Sequence, residues 1–142
     1  MKNQINYLSI DVEDYFQVGA FEHSIRRDDW SSLEHRVVQN MDKVLQLFDE
    51  RDVKATFFML SWVAERYPTL VRDIVNQGHE LASHGHGHQR VTDLSREAFR
   101  QDVVRAKDTL EDLAAVAVRG YRAPSYSIGE SNIWALDVLA RA

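Results

Sequence analysis

Short β-prone runs and amphipathic helical stretches alternate along this chain. That alternation limits the folds open to it more than any other feature. Tyr7-Leu8-Ser9-Ile10 reads as a short strand ending in the acidic cluster Asp11-Val12-Glu13-Asp14, and residues 15 to 33 read as a long loop without a clean period. From about Leu33 to Arg51, the apolar residues Val37, Met41, Val44, Leu45 and Phe48 recur every three or four positions. One face of a core-packed helix has that spacing. Ala55-Thr56-Phe57-Phe58-Met59 is compact and β-prone, as a buried strand is. Ser61 suits the N-cap of a helix reaching Tyr67, Pro68 the first turn of a second helical piece, and Gly78 its stop. Glu80-Leu81-Ala82-Ser83 is a strand leading into His84. Ser95 can cap a long helix with the face Phe99, Val103, Ala106, Leu110 and Leu113. Val116 to Tyr121 reads as a fourth strand stopped by Arg122-Ala123-Pro124, and Ser131 starts a last helix running to Ala142.

The order β-α-β-α-β-α-β-α predicts an α/β domain whose parallel sheet is covered by helices. In such folds the chemistry gathers at the C-terminal edge of the strands. The acidic cluster, a histidine cluster and the Arg122-Ala123-Pro124 segment each follow a predicted strand directly. Three polar constellations therefore converge on one edge.

Composition narrows the chemistry. With 44% hydrophobic and 27% charged residues, the 142-residue chain can bury a core and does not read as disordered. It contains no cysteine, so disulfides, thiolate metal sites and thiol nucleophiles are excluded. A net charge of −5 speaks against a nucleic-acid partner held by a basic face. No run reaches the length of a membrane span, and the start from Met1 to Tyr7 lacks a long apolar leader. The chain reads as soluble and cytoplasmic, with export as the alternative.

His84-Gly85-His86-Gly87-His88 holds three of the six histidines in five residues. Isolated histidines usually sit in solvated loops, but three together after a strand favour a metal site. His84 and His88 have i, i+4 spacing, although the two glycines leave a tight turn as open as a helix. His79-Glu80 does not begin a zinc-protease helix motif, because Ser83 stands four residues after His79. A catalytic metal site commonly takes three protein ligands and keeps one position open. Two histidines and one carboxylate from Asp11, Glu13 and Asp14 satisfy that rule, and another carboxylate could accept a proton from water. Arg122 could hold such a base ionised and oriented, and Pro124 could fix the backbone that aims a nearby N–H. Trp62 and Trp134 suit packing roles, whereas Trp30, in the loop, is a candidate sugar contact.

These segments resemble the polysaccharide deacetylases of the NodB-homology type (carbohydrate esterase family 4), and within them the subgroup tied to bacterial exopolysaccharide and exosortase loci. The likeness rests on Leu8 to Phe16, Lys54 to Phe58, Gly78 to His88 and Arg119 to Tyr126, in that order. It implies the N-terminal part of a distorted (β/α) barrel, with about four β-α units in a single partial domain over residues 1–142. It implies a metal-dependent hydrolase that removes N-acetyl groups from a polysaccharide or oligosaccharide. Asp11 would be the general base, His84 and His88 metal ligands, Arg122 the residue orienting the base, and the Tyr126 backbone N–H an oxyanion donor. His86 would not be a ligand. The metal expected is zinc, with cobalt or nickel as alternatives.

Two departures matter. Val12 stands where most of that family has a second adjacent aspartate, so the third ligand shifts to Glu13 or Asp14. Glu13 is favoured, because i and i+2 share a face of a strand. The later Asp/Trp and Leu-x-Leu-His motifs are missing, and no histidine follows His88. The chain therefore reads as part of a longer protein, and an open half-barrel predicts self-association. An O-acetyl esterase, a cyclic-amide hydrolase and a non-catalytic metal- or glycan-binding remnant are the alternative readings.

Overall fold

Three short strands form one parallel sheet in a computed structural model that describes residues 6–142. They are β1 (Ser9–Val12), β2 (Thr56–Met59) and β3 (Glu80–Ser83). The polar start Met1 to Ile5, part of the stretch read above for a leader, lies outside the described residues. The order β1-β2-β3 follows the chain without reversal. Barrels progress in this way, whereas a doubly wound sheet reverses at a switch point. Asp11 pairs with Phe58 and Met59 with Ser83, so β1 and β3 end level with each other on either side of β2.

Among the described residues five α-helices accompany the strands: α1 (Val37–Glu50), α2 (Ser61–Arg66), α3 (Pro68–Asn76), α4 (Arg96–Ala114) and α5 (Trp134–Leu139). The α1 face predicted from spacing is the buried one, with Val37, Met41, Leu45 and Phe48 in the core beside Phe57 and Met59. Pro68 opens α3 where its missing N–H costs nothing. Gly78, at φ +78°, then makes the left-handed turn into β3. Ser95 caps α4 by accepting the Ala98 N–H at 3.1 Å, and Phe99, Val103, Ala106 and Leu110 are buried along its length. Among the described residues no helix is long and apolar enough to cross a membrane.

Five expectations shift. Residues 15–33 fold into three short 3₁₀ turns rather than an unstructured loop. Helix α1 starts at Val37, not near Leu33, because the Asp14 carboxylate accepts the Arg36 and Val37 N–H groups there. Ser61 is the first residue of α2 and not its cap; its N–H is taken by the Gly85 carbonyl at 2.9 Å. The fourth strand shrinks to a one-residue parallel bridge between Ser83 and Tyr121. Its beginning is drawn off toward α4, where the Glu111 carboxylate accepts the Val118 N–H at 2.8 Å. Helix α5 starts at Trp134 rather than Ser131, after a 3₁₀ turn over Glu130–Asn132.

Candidate metal centre

The end of β1 sorts its side chains by strand alternation. Val12 is fully buried in the core, while Asp11 and Glu13 share the opposite side. Asp14 leaves that side altogether. Its carboxylate caps the turn at Tyr15 and the N-terminus of α1, and the residue is only 3% exposed. The positive end of a helix is a favourable place for a buried carboxylate. Both Asp14 oxygens are thereby engaged with backbone N–H groups, and of the two carboxylates expected as third ligand it is Glu13 that stands beside His84 and His88.

The ladder continues past β3, where the His84 N–H donates to the Met59 carbonyl at 2.9 Å and carries the histidine loop to the same edge. One ligand atom from each of Glu13, His84 and His88 lies within 4.8 Å of the others. His84 is 2% exposed and His88 8%. The His84 Nδ1–H donates to the Arg122 carbonyl at 2.7 Å, which fixes the tautomer and leaves Nε2 as a free donor of electrons. Glu13 Oε2 is 3.1 Å from His88 Nε2, yet it is a buried acceptor without a properly aligned hydrogen bond.

The electrostatics point the same way. Burial, and then the neighbouring Asp11, push the Glu13 carboxyl up to about 7. Burial, then His84 and Arg27, push the His88 imidazolium down to about 4. Burial also lowers His84, against the pull of its bond to the Arg122 carbonyl. The pocket therefore disfavours a bare carboxylate and bare imidazolium ions alike. A divalent cation would satisfy the orphaned Glu13 oxygen and both free imidazole nitrogens, so the donor set fits such an ion.

Arg122 joins the Glu13–His84–His88 cluster to a second carboxylate. Its Nη1 lies 2.5 Å from Asp11 Oδ1, its Nη2 donates to Ser9 Oγ at 2.7 Å, and its guanidinium lies 4.0 Å over the Phe58 ring. Its main-chain N–H donates to the Ser83 carbonyl at 2.9 Å, closing the bridge beside β3. One residue thus fixes Asp11 with its side chain and His84 with its carbonyl.

His86 faces elsewhere, with its Nδ1 2.8 Å from Ser61 Oγ. Tyr126 is 85% exposed, and its N–H donates to the Ala123 carbonyl at 3.1 Å within a turn where Ser125 and Tyr126 both have φ +53°. An oxyanion role for that amide requires the turn to open. Trp30 is buried against Phe16 and Trp62 rather than offered as a sugar contact. Sequence reasoning missed Asp102. Its carboxylate accepts the His86 N–H at 3.2 and 3.3 Å; three residues after Phe99 and four before Ala106, it borders the buried face of α4, and an acidic residue beside that apolar stripe was the one signal the sequence offered.

Known proteins share this arrangement of elements. The polysaccharide deacetylase family model matches residues 27–139. A peptidoglycan-N-acetylglucosamine deacetylase of Bacillus cereus is 31% identical over 96 residues, which are 67% of this chain and 35% of that protein. A chitooligosaccharide deacetylase of Sinorhizobium fredii is 35% identical over 98 residues, covering 68% of this chain and 43% of that one. The chain thus spans less than half the length of these two relatives. A crystal structure of a CE4 family pseudoenzyme from Bacillus anthracis superposes with a TM-score of 0.67 at 20% identity, over 92% of this chain and 39% of the other. At that identity the likeness is one of fold.

Proposed function

The chain belongs to the polysaccharide deacetylase family, and on that premise we propose that it takes part in the metal-dependent hydrolysis of N-acetyl groups on a polysaccharide. The observation that carries the reading is the Asp11–Arg122 pair standing beside Glu13, His84 and His88 at one sheet edge. A pseudoenzyme shares this fold, so the residues and not the fold must carry the assignment. The named relatives act on peptidoglycan and on chitooligosaccharides, which makes a β-linked N-acetylglucosamine polymer the first substrate to offer.

Glu13, His84 and His88 would hold a divalent cation, zinc by donor chemistry with cobalt or nickel as alternatives, and that ion would polarise the acetyl carbonyl and acidify a water. Asp11 stays outside the ligand set and accepts the proton of the attacking water. Arg122 keeps the Asp11 carboxylate aimed, through a bond that costs no reorganisation during the reaction. His84 keeps its orientation through the Arg122 carbonyl. The departing amine needs a proton, and the family resemblance gives that task to a histidine beyond His88 in the chain. The reaction is therefore tested on the longest chain the gene encodes.

The test is acetate release from N-acetylated chitooligosaccharides by the wild type and by Asp11→Asn, with metal content measured on both. Asp11→Asn should lose at least about a hundredfold in kcat while retaining its metal. Undiminished acetate release by that variant refutes Asp11 as the base.

A further inference from the structure

His84 and His88 do not owe their proximity to helical spacing. The segment between them is a loop, with Gly85 at φ +79° and His88 at φ +52°. The separation of the two imidazoles must then be set by what grips the loop. Helix α2 grips its carbonyls: the Ser61 N–H donates to Gly85 at 2.9 Å and the Trp62 N–H to His86 at 3.3 Å. Asp102, from the middle of α4, grips the other side. Both of its oxygens accept the His86 N–H, at 3.2 and 3.3 Å, and His86 is the midpoint between the two histidines. A Cβ on Gly85 would lie 2.7 Å from Asp102 Oδ2, so the carboxylate presses on the loop backbone where only glycine leaves room.

A carboxylate is a costly choice for filling space here. Burial lifts the Asp102 carboxyl above its ordinary value, offset by the His86 N–H and by Arg105 and Arg27. An apolar side chain would pack without that cost. The acceptor at this spot therefore has a task beyond packing.

We propose that Asp102 is a positioning residue that clamps the Gly85–His86 backbone and thereby sets the ligand geometry of His84 and His88. This rests on the metal-centre reading above. Asp102 touches neither the ligands nor any reacting atom. It acts through the loop, as residues behind metal ligands do elsewhere, where their loss typically weakens metal binding by about 10- to 100-fold.

The test measures zinc affinity by competition, and the visible spectrum of the cobalt form, for the wild type, Asp102→Ala, Asp102→Leu and Asp102→Asn. Hydrogen exchange of the His86 amide is followed in the metal-free chains. Asp102→Ala and Asp102→Leu should each lose about 10- to 100-fold in affinity, with an altered cobalt spectrum and a faster-exchanging His86 amide. Asp102→Asn keeps one acceptor oxygen and should recover most of the loss. Asp102→Leu fills the space without an acceptor and serves if the alanine variant does not fold. Wild-type affinity in either folded variant without an acceptor overturns the proposal, as does a failure of Asp102→Asn to improve on them. A wild-type chain that binds no metal refutes the metal centre itself, and this inference with it, whatever stands at 102.

Discussion

Replacing Glu13 by glutamine should stabilise the metal-free chain at pH 8 while destroying its metal affinity. Glu13 is 17% exposed at its side chain and its carboxyl titrates at about 7, against 4.5 for the free group. A carboxyl raised in this way adds its full stability below the unfolded value, near pH 4.5, and loses it as the pH rises through about 7. At about 1.36 kcal/mol per pH unit the gap comes to about 3 kcal/mol, and the solvent reaching the exposed part lowers it to about 2. Glutamine keeps the shape and never ionises, so it escapes that loss. His88, pushed down to about 4, is neutral above pH 6 in both chains and cancels from the comparison. The assay is urea unfolding in chelator at pH 8 and pH 5. With a urea slope of about 1–3 kcal/mol per molar, the Glu13→Gln midpoint should rise by about 1 M at pH 8 and barely at pH 5. Excess zinc should reverse the order, because only the wild type gains from binding. An unchanged or lowered midpoint for Glu13→Gln at pH 8 in chelator would refute the claim that the carboxylate is buried at a cost which a cation relieves.

Two further outcomes test the division of labour in the acidic cluster. Asp14→Ala should cost about 2–3 kcal/mol in unfolding free energy, since it strips the N-terminus of α1 of its buried anionic acceptor, yet zinc affinity per folded chain should stay at the wild-type value. Zinc binding should release about one proton per ion from Glu13 at pH 6, because Glu13 is the ligand still protonated near neutrality while His88 is not; at pH 9 Glu13 contributes none, and the proton then released comes from the water the ion would bind. Calorimetry in buffers of different ionisation enthalpy reads that number directly.

The sequence carried the core-facing positions and the edge on which the chemistry collects, because periodicity records burial and strand ends record topology. Thus α1 and α4 were legible in their apolar spacing and β2 in its compact β-prone run, and the strand ends pointed to the convergence of Asp11, His84 and Arg122. Contacts between distant segments left no such trace. Asp14 reads as one more acidic residue beside Glu13, and only the folded chain shows that its partners are the Arg36 and Val37 N–H groups, more than twenty residues on. The 3.6-residue period also ran past the true start of α1, since the cap that stops it belongs to another part of the chain. Trp30 and Asp102 are similar cases, with their neighbours set by tertiary packing alone.

The shrinking of the fourth strand shows how little pairing the site requires. Ser83 donates its N–H to the Gly120 carbonyl at 2.8 Å and accepts the Arg122 N–H at 2.9 Å. Those two bonds replace a full ladder. Gly120 permits them, because a Cβ there would meet that of Ala82 at 2.9 Å and force the segment away from β3. Once the backbone is seated, Arg122 has a fixed origin from which its guanidinium reaches Asp11 and Ser9, and its carbonyl already stands at His84 Nδ1. A lysine in its place could supply charge to Asp11 but not the two-pronged hold on Asp11 and Ser9 together. The base and one ligand of the proposed centre are therefore oriented by the same residue, so a backbone shift at Gly120 would disturb both at once.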